Sequence, residues 1–393
     1  MSTPTPAVEV KKGLEGVIVD ECAVSKVMPE TNSLTYRGYA VQDLADQCSF
    51  EEVAFLLWHG ELPNKTQLTT FNERERSLRG LSKGLVDSIR LYPKSAHPMD
   101  TVRTGVSYLG MEECSKDEES WSPKDAFKIP AGATLSNYDK AISLLAKIPT
   151  IIAADYRCRK GLEPIAPKKE LTMSENFFHM CFGEVPHKDI VKAFDASLTL
   201  YAEHGFNAST FTSRVVASTM SDLHSATVAG IGSLKGPLHG GANEQVMHML
   251  KEVNDPAKAE QWMLDALKNK RKVMGFGHRV YKTGDSRVPT MDKYGRKVAA
   301  LKGETKWHAI SDILKDVMLK QKDIHPNLDF PAGPAYYLMG FEIDMFTPIF
   351  VMARTTGWSA HVFEQAANNR IIRPLTKYTG PVQRSVVSLD KRG

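Results

Sequence analysis

The chain has 393 residues, 42% of them hydrophobic and 24% charged, with a formal net charge of +4. That length exceeds one ordinary core and points to two domains or one large helical body. So small a net charge gives no reason to expect a nucleic-acid or membrane partner, and no apolar run reaches the roughly 18 residues of a transmembrane helix.

Residues 1–12 are rich in Thr and Pro, then Val and Lys; they read as loosely ordered and lack the layout of a signal peptide. Cys22, Cys48, Cys114, Cys158 and Cys181 form no C-x-x-C pair. They read as reduced thiols, and the cytoplasm is the expected compartment. From Ser49 the pattern is helical, with Val53, Ala54, Leu56 and Leu57 at helical spacing and Gly60 with Pro63 as the stop. The polar stretch 112–130 reads as an exposed loop. Residues 141–156 predict a strongly apolar helix interrupted by Pro149. A helix from Lys188 has one apolar face, made by Ile190, Val191, Phe194, Leu198 and Tyr201, and is expected to end at His204 with Gly205 as its cap. A second starts at Asn207 or Ser209 and runs to about Met220. A third covers 222–234, carries Gly230 and Gly232 for close packing, and stops at Gly236-Pro237. Further helices are predicted over 260–267, 305–320, 336–341 and 346–365, the last with Pro348 in its first turn. Alternating strand patterns are nearly absent and there is no internal repeat, so the chain reads as all-α.

Three glycine- or proline-marked segments carry candidate chemistry. In Gly236-Pro237-Leu238-His239-Gly240-Gly241-Ala242-Asn243, the imidazole precedes a helix faced by Val246, Met247 and Leu250. A helix N-terminus lowers the pKa of such a histidine and keeps it a neutral donor, suited to an enol or enolate oxygen. A simple capping histidine fits the spacing equally well. In the second segment, Gly275 and Gly277 flank Phe276 just before His278, and allow close backbone approach to a ligand. The basic run Lys268, Lys270, Arg271 and Lys272 beside it suits phosphates or a plain solvated helix end. Neither a P-loop nor G-x-G-x-x-G is present. In the third, Asp329 stands in a proline-rich apolar setting that would raise its pKa towards that of a useful base; a capping Asp is the bland alternative. Arg354 in an apolar helix, Arg287 and Arg373 add bidentate donors suited to a small dicarboxylate. Despite 12 histidines, no H-E-x-x-H-type metal spacing occurs.

Taken together, these segments resemble the citrate synthase family. The motifs Leu238-His239-Gly240-Gly241-Ala242-Asn243, Gly275-Phe276-Gly277-His278-Arg279-Val280-Tyr281 and Asn327-Leu328-Asp329-Phe330 stand in the family's order. So do Glu203-His204-Gly205-Phe206-Asn207-Ala208-Ser209-Thr210 and Asn32-Ser33-Leu34-Thr35-Tyr36-Arg37-Gly38-Tyr39, and the resemblance covers about 13–380. It implies an almost all-α fold with a large domain (1–240 and 341–393), a small one (241–340) and a site in the cleft. It also implies a homodimer. By position, Asp329 resembles the base that takes the α-proton of an acyl-CoA, and His239 the donor to the enol. His278 resembles the group that polarises and protonates the oxaloacetate carbonyl. His204, Arg287 and Arg354 resemble oxaloacetate ligands, and Arg373 one supplied by the neighbouring subunit. Lys272, Val273, Met274, Gly275 and Phe276 resemble the stretch that holds coenzyme A. The acyl-CoA is a substrate, so no separate cofactor or metal is implied. The segments 329–340, 201–207 and 345–350 are more similar to methylcitrate synthases, which use propionyl-CoA, than to ordinary citrate synthases, which use acetyl-CoA. A citrate synthase of the central cycle and an inactive binding relative are the alternatives.

Overall fold

The computed structural model of the chain describes residues 10–28, 30–114, 122–123, 126–278, 280–281 and 284–392. Most of the first 12 residues, part of the 112–130 stretch and Arg279 lie outside the described residues. The described residues form a helical body: α1 (Val41–Gln47), α2 (Phe50–His59), α3 (Lys65–Leu78), α4 (Lys83–Leu91), α5 (Pro98–Glu113), α6 (Leu135–Arg159), α7 (Met173–Phe182), α8 (Lys188–Tyr201), α9 (Ala208–Ser218), α10 (Leu223–Leu234), α11 (Ala242–Val253), α12 (Pro256–Lys268), α13 (Val288–Lys302), α14 (Lys306–Lys322), α15 (Asp329–Met339) and α16 (Phe346–Ala367). One small antiparallel sheet, β1 (Ser25–Met28), β2 (Ser33–Tyr36) and β3 (Tyr39–Ala40), pairs Ser25 with Tyr36 and Tyr36 with Tyr39. The all-α reading therefore holds, with this sheet as its one addition among the described residues.

Local chemistry sets the helix ends. Ser49 opens α2 through a capping box with Glu52, and Gly60 closes it at φ +90°. The 141–156 helix is longer than its apolar run and passes straight through Pro149 as the 25-residue α6. Its residues from Ala141 to Tyr156 are all buried. Packing against α3, α5, α7 and α16 holds the helix across the missing N–H.

Two corrections bear on the site. The first concerns α8, which ends at Tyr201 rather than at His204. Buried Tyr36 of β2 captures the next turn: its hydroxyl donates to the Glu203 carbonyl (2.9 Å) and accepts the Glu203 N–H (3.2 Å). Gly205 then turns the chain at φ +59°. The second concerns the 336–341 helix, which begins at Asp329. Pro331 falls in the first turn, where an N–H has no intrahelical partner anyway, so only Pro334 costs a helix bond.

Around these, α16 packs against α2, α6, α8, α9 and α10, while α11 to α15 pack largely on one another and α13 and α15 also meet α8. The α10 crossing depends on Gly230: a Cβ there would meet Ser213 Oγ at 2.6 Å and Trp358 Cε2 at 2.9 Å. Gly232 has no atom within 4 Å of such a Cβ, so of the two glycines expected to pack closely only Gly230 does. We expect Gly230→Ala to lower stability by about 1–3 kcal/mol through overpacking, read as an earlier denaturant midpoint with unchanged far-UV circular dichroism. An unchanged midpoint would sink this reading of the crossing.

Candidate active site

The end of α8 is the meeting point. Its last residue, Tyr201, donates its hydroxyl to Asp329 Oδ1 at 2.8 Å. Its carbonyl accepts from Arg354 Nε at 2.8 Å. Two side chains, each more than a hundred residues away in the chain, thus meet on one tyrosine.

Asp329 is the first residue of α15. Its N–H donates to Asn327 Oδ1 (3.1 Å), which orients the carboxyl at the helix entry. Burial pushes the pKa up to about 6, with the Tyr201 hydrogen bond and the charge of Arg287 pulling the other way. The upward direction expected from the sequence is therefore present.

His239 lies in the turn between α10 and α11, two residues before the Gly241 cap of α11. Its pKa is depressed to about 3, first by burial and then by the charge of Arg354. The direction is the one the spacing suggests, with burial and Arg354 as its causes. The Ser209 N–H, in the first turn of α9, donates to Nε2 (3.3 Å). Nε2 is therefore an acceptor and the ring proton sits on Nδ1. Ser209 Oγ lies 2.8 Å from the same nitrogen and also meets Trp358 Nε1 (3.2 Å) and Asn207 Oδ1 (2.8 Å).

His278 is fixed in the opposite tautomer. Its Nδ1 accepts from the N–H groups of Val280 (3.1 Å) and Tyr281 (3.4 Å), which leaves the proton on Nε2. Burial, then Arg287, lowers its pKa to about 4. The His278 and His204 rings lie 4.9 Å apart, and His204 Nε2 is 3.3 Å from the Tyr281 hydroxyl. Burial and the neighbouring Arg287 hold His204 well below the usual histidine range. All three imidazoles are neutral at pH 7.

The arginines differ in their support. Burial opposes the charge of Arg287, but Asp285 outweighs it and raises the pKa. Asp285 makes a two-point pair with Arg287 (2.9 and 2.7 Å) and also accepts the Leu328 N–H at 3.0 Å, next to Asp329. Arg354 has no ion pair among the described residues; its Nη1 is buried without a partner, and the guanidinium stands 4.7 Å over Phe350. Phe350 in turn packs on Tyr201 (4.3 Å) and near His239 (6.2 Å).

The loop from Lys272 to Phe276 is tied to the Asp329 segment. Asn327 N–H donates to the Gly275 carbonyl (2.9 Å), Asn327 Nδ2 to the Gly277 carbonyl (2.9 Å), and Gly277 N–H to the His325 carbonyl (2.8 Å). Gly275 sits at φ +83°, and a Cβ there would meet Val246 at 2.6 Å. Lys272 is exposed, while Val273, Met274 and Phe276 are half-buried and Gly275 is buried. Arg271 is already held by Glu252 (2.6 and 2.7 Å) beneath Trp262, so that part of the basic run is an ordinary ion pair. Arg373 is exposed in the extended tail after α16, outside the cluster. The sequence reading gave no role to the Tyr201 hydroxyl, Ser209, Tyr281, Asp285, Asn327 or Phe350; Ser209, Tyr281 and Asn327 stand in the motifs quoted above, but their spacing does not show which side chain each one meets. Among the described residues, the grouping Cys22, His361 and Glu364 has metal-like proximity, within 4.8 Å. However, His361 Nδ1 already faces the Arg214 guanidinium at 3.2 Å, where a second cation would be repelled.

Such an arrangement can take a weakly acidic proton on Asp329 and stabilise the oxyanion that results from His239 Nδ1–H. It can polarise a second carbonyl from His278 Nε2–H and hold an anion on Arg287 and Arg354.

Residues 13–375 match the family model described as citrate synthase, C-terminal domain. A 2-methylcitrate synthase 2 of Corynebacterium glutamicum is 54% identical over 100% of both chains. A citrate synthase of Mycolicibacterium smegmatis is 53% identical over 98% of this chain and 99% of its own length. Among solved structures, the Thermoplasma acidophilum citrate synthase in ternary complex with carboxymethyl coenzyme A and oxaloacetate superposes with a TM-score of 0.88. It is 31% identical, over 98% of this chain and 100% of that one.

We expect carbon-13 NMR titration of the Asp329 carboxyl to give a midpoint near 6. In Tyr201→Phe the midpoint should rise, because the donor that favours the ionised form is gone. A midpoint that stays put or falls would overturn the assigned hydrogen bond.

Proposed function

Because the chain belongs to the citrate synthase family, we propose that it is a 2-methylcitrate synthase. It condenses propionyl-CoA with oxaloacetate and water to give 2-methylcitrate and CoA, and uses acetyl-CoA as a second substrate. The observation that carries the mechanism is the buried Asp329 carboxyl, raised to about 6, in a cluster where His239 has its proton locked on Nδ1.

The steps follow from the site. Oxaloacetate is held by His204, Arg287 and Arg354, whose guanidinium groups match two carboxylates. Asp329 removes a proton from the carbon next to the thioester carbonyl. His239 Nδ1–H donates to the thioester oxygen as it gains charge, so the enol forms without a free carbanion. That carbon attacks the oxaloacetate carbonyl carbon, and His278 Nε2–H delivers its proton to the carbonyl oxygen. Water then attacks the thioester carbonyl, and CoA leaves as the thiol. A thioester α-proton is too weakly acidic for a hydrated carboxylate, so a desolvated base and a preorganised donor are what this step requires. The chemistry uses no metal or separate cofactor.

Asp329, His278 and Arg287 come from 241–340, whereas His204 and Arg354 come from outside it. This supports a cleft between two domains that closes over the substrates and excludes water. Lys272 to Phe276 hold CoA. A homodimer is supported by the extended tail after α16, where Leu375 is 89% and Val386 90% exposed. In it, Arg373 reaches the neighbouring subunit's site. No helix of the described residues is long and apolar enough to cross a membrane, and five free cysteines fit the cytoplasm.

The preference for propionyl-CoA rests on the segments around Tyr201, Asp329 and Phe350 and on the methylcitrate synthase relatives. Citrate synthase of the central cycle is the second reading, favoured by the relative of that name. One methylene is worth about 0.8 kcal/mol, and apolar pockets discriminate about 10–200-fold on it. We expect kcat/KM for propionyl-CoA to exceed that for acetyl-CoA within that range, with thiol release as the readout; a ratio below one selects the second reading. Asp329→Asn should lose thiol release by at least about a thousandfold while oxaloacetate still binds. Wild-type kcat/KM should fall as pH drops through about 6, where Asp329 takes up a proton and ceases to be a base.

A further inference from the structure

We propose that Glu203 and His361 are positioning residues for the oxaloacetate site: His361 restrains the Glu203 carboxylate so that it balances the charge of Arg354 without pairing with it. The inference rests on the reading of Arg354 as an oxaloacetate ligand.

Glu203 is fully buried in the turn between Tyr201 and His204. A carboxylate in that place needs strong partners to remain ionised. Its Oε1 accepts from His361 Nε2 (2.8 Å), from Ser25 Oγ (2.9 Å) and from the Gly205 N–H. Burial pushes its pKa up, but His361 and then Arg354 outweigh burial and hold it below the ordinary glutamate range.

His361 has no freedom to turn away. Arg214 Nη1 lies 3.2 Å from its Nδ1, and a guanidinium only donates, so Nδ1 accepts and the Nε2 proton goes to Glu203. Arg214 is itself anchored by Glu364 (2.8 Å) and Asp20 (3.0 Å) and lies 4.5 Å over the Phe206 ring. The line from Asp20 and Glu364 through Arg214 and His361 to Glu203 is therefore a stiff strut between the N-terminal segment, α9, α16 and the His204 turn.

The strut ends beside Arg354. Among the described residues Glu203 Oε2 is buried without a partner, and so is Arg354 Nη1, yet the two form no ion pair. Oε2 rests against α16 at Gly357, where any Cβ would overlap it and would approach the Ala202 carbonyl at 2.5 Å. Burial lowers the Arg354 pKa to about 10, and Glu203 is the largest influence opposing that fall. Glu203 thus keeps the guanidinium charged from a distance. Because His361 holds Oε1, Nη1 stays open for a substrate carboxylate. Released from His361, the carboxylate would swing onto Arg354 and compete with oxaloacetate.

Four variants of the full-length protein test this, with oxaloacetate binding followed by calorimetry and KM and kcat by thiol release. His361→Leu should raise the oxaloacetate Kd and KM at least about tenfold, with kcat at saturation changed far less. Adding Glu203→Gln to His361→Leu should bring Kd back down by a similar factor, because a neutral amide does not form the competing ion pair. His361→Gln, whose amide reaches the place of Nε2, should bind oxaloacetate near the wild-type level, whereas His361→Asn, which reaches only the place of Nδ1, should resemble His361→Leu. These two polar variants carry the test if the leucine variant fails to fold. An unchanged Kd in His361→Asn, or a double variant no better than His361→Leu, overturns the proposal. Wild-type protein that binds no oxaloacetate overturns the functional reading beneath it, a result separable from the first by its lack of thiol release.

Discussion

An arginine with no ion pair among the described residues stands at the centre of this site. Arg354 is buried in the middle of α16 and, among the described residues, is bonded only through Nε to a backbone carbonyl, with a ring beneath it. A fixed positive charge in a dry interior lowers the pKa of every imidazole nearby. That charge is among the influences that depress both His239 and His204. Neutral histidines are hydrogen-bond donors that need no counter-ion, so an anion can enter without first displacing one. Under the proposed function, the field that attracts a dicarboxylate acts together with burial in keeping these imidazoles neutral.

The protons are committed before any ligand arrives. Backbone N–H groups hold one nitrogen of His239 and one of His278, and do so on opposite sides of the two rings. Each histidine therefore presents a donor of fixed identity. Asp285 spans Arg287 and the Leu328 N–H, so it ties that arginine to the start of the helix carrying Asp329. Little reorganisation is left for the reaction itself, which is the sense in which such a site is preorganised.

Much of this was legible in the sequence, for a physical reason. Helices with a one-sided apolar face and a capping residue, such as α2 and α9, declare themselves, as do glycine-marked turns. The helices α1, α3, α4, α5, α7 and α13 did not. In α3 only Phe71 and Glu75 are buried, and the helix owes its start to an Asn64–Gln67 capping box rather than to an apolar stripe. The candidate proton carriers His239, His278 and Asp329 were singled out because they stand in unusual local sequence. Their partners were not. Ser209 belongs to His239 and Asp285 to Leu328 only through the tertiary fold, and no periodicity encodes a contact across 30 or 43 residues. The burial of His239, and after it the charge of Arg354, likewise lower its pKa only through the tertiary fold.

The crossed hydrogen bonds between 275–277 and 325–327 have a consequence for how the protein acquires its activity. They join segments about fifty residues apart, with α13 and α14 in the intervening chain, so their closure carries the entropy cost of a long loop and comes after local helices form. During synthesis the crossed bonds to the 275–277 loop cannot all form until residue 327 has emerged. A nascent or prematurely ended chain therefore carries most of the histidines of the site in an unassembled state. Such a fragment also lacks Asp329 and Arg354, so the cluster described above is complete only in a chain that extends past residue 354.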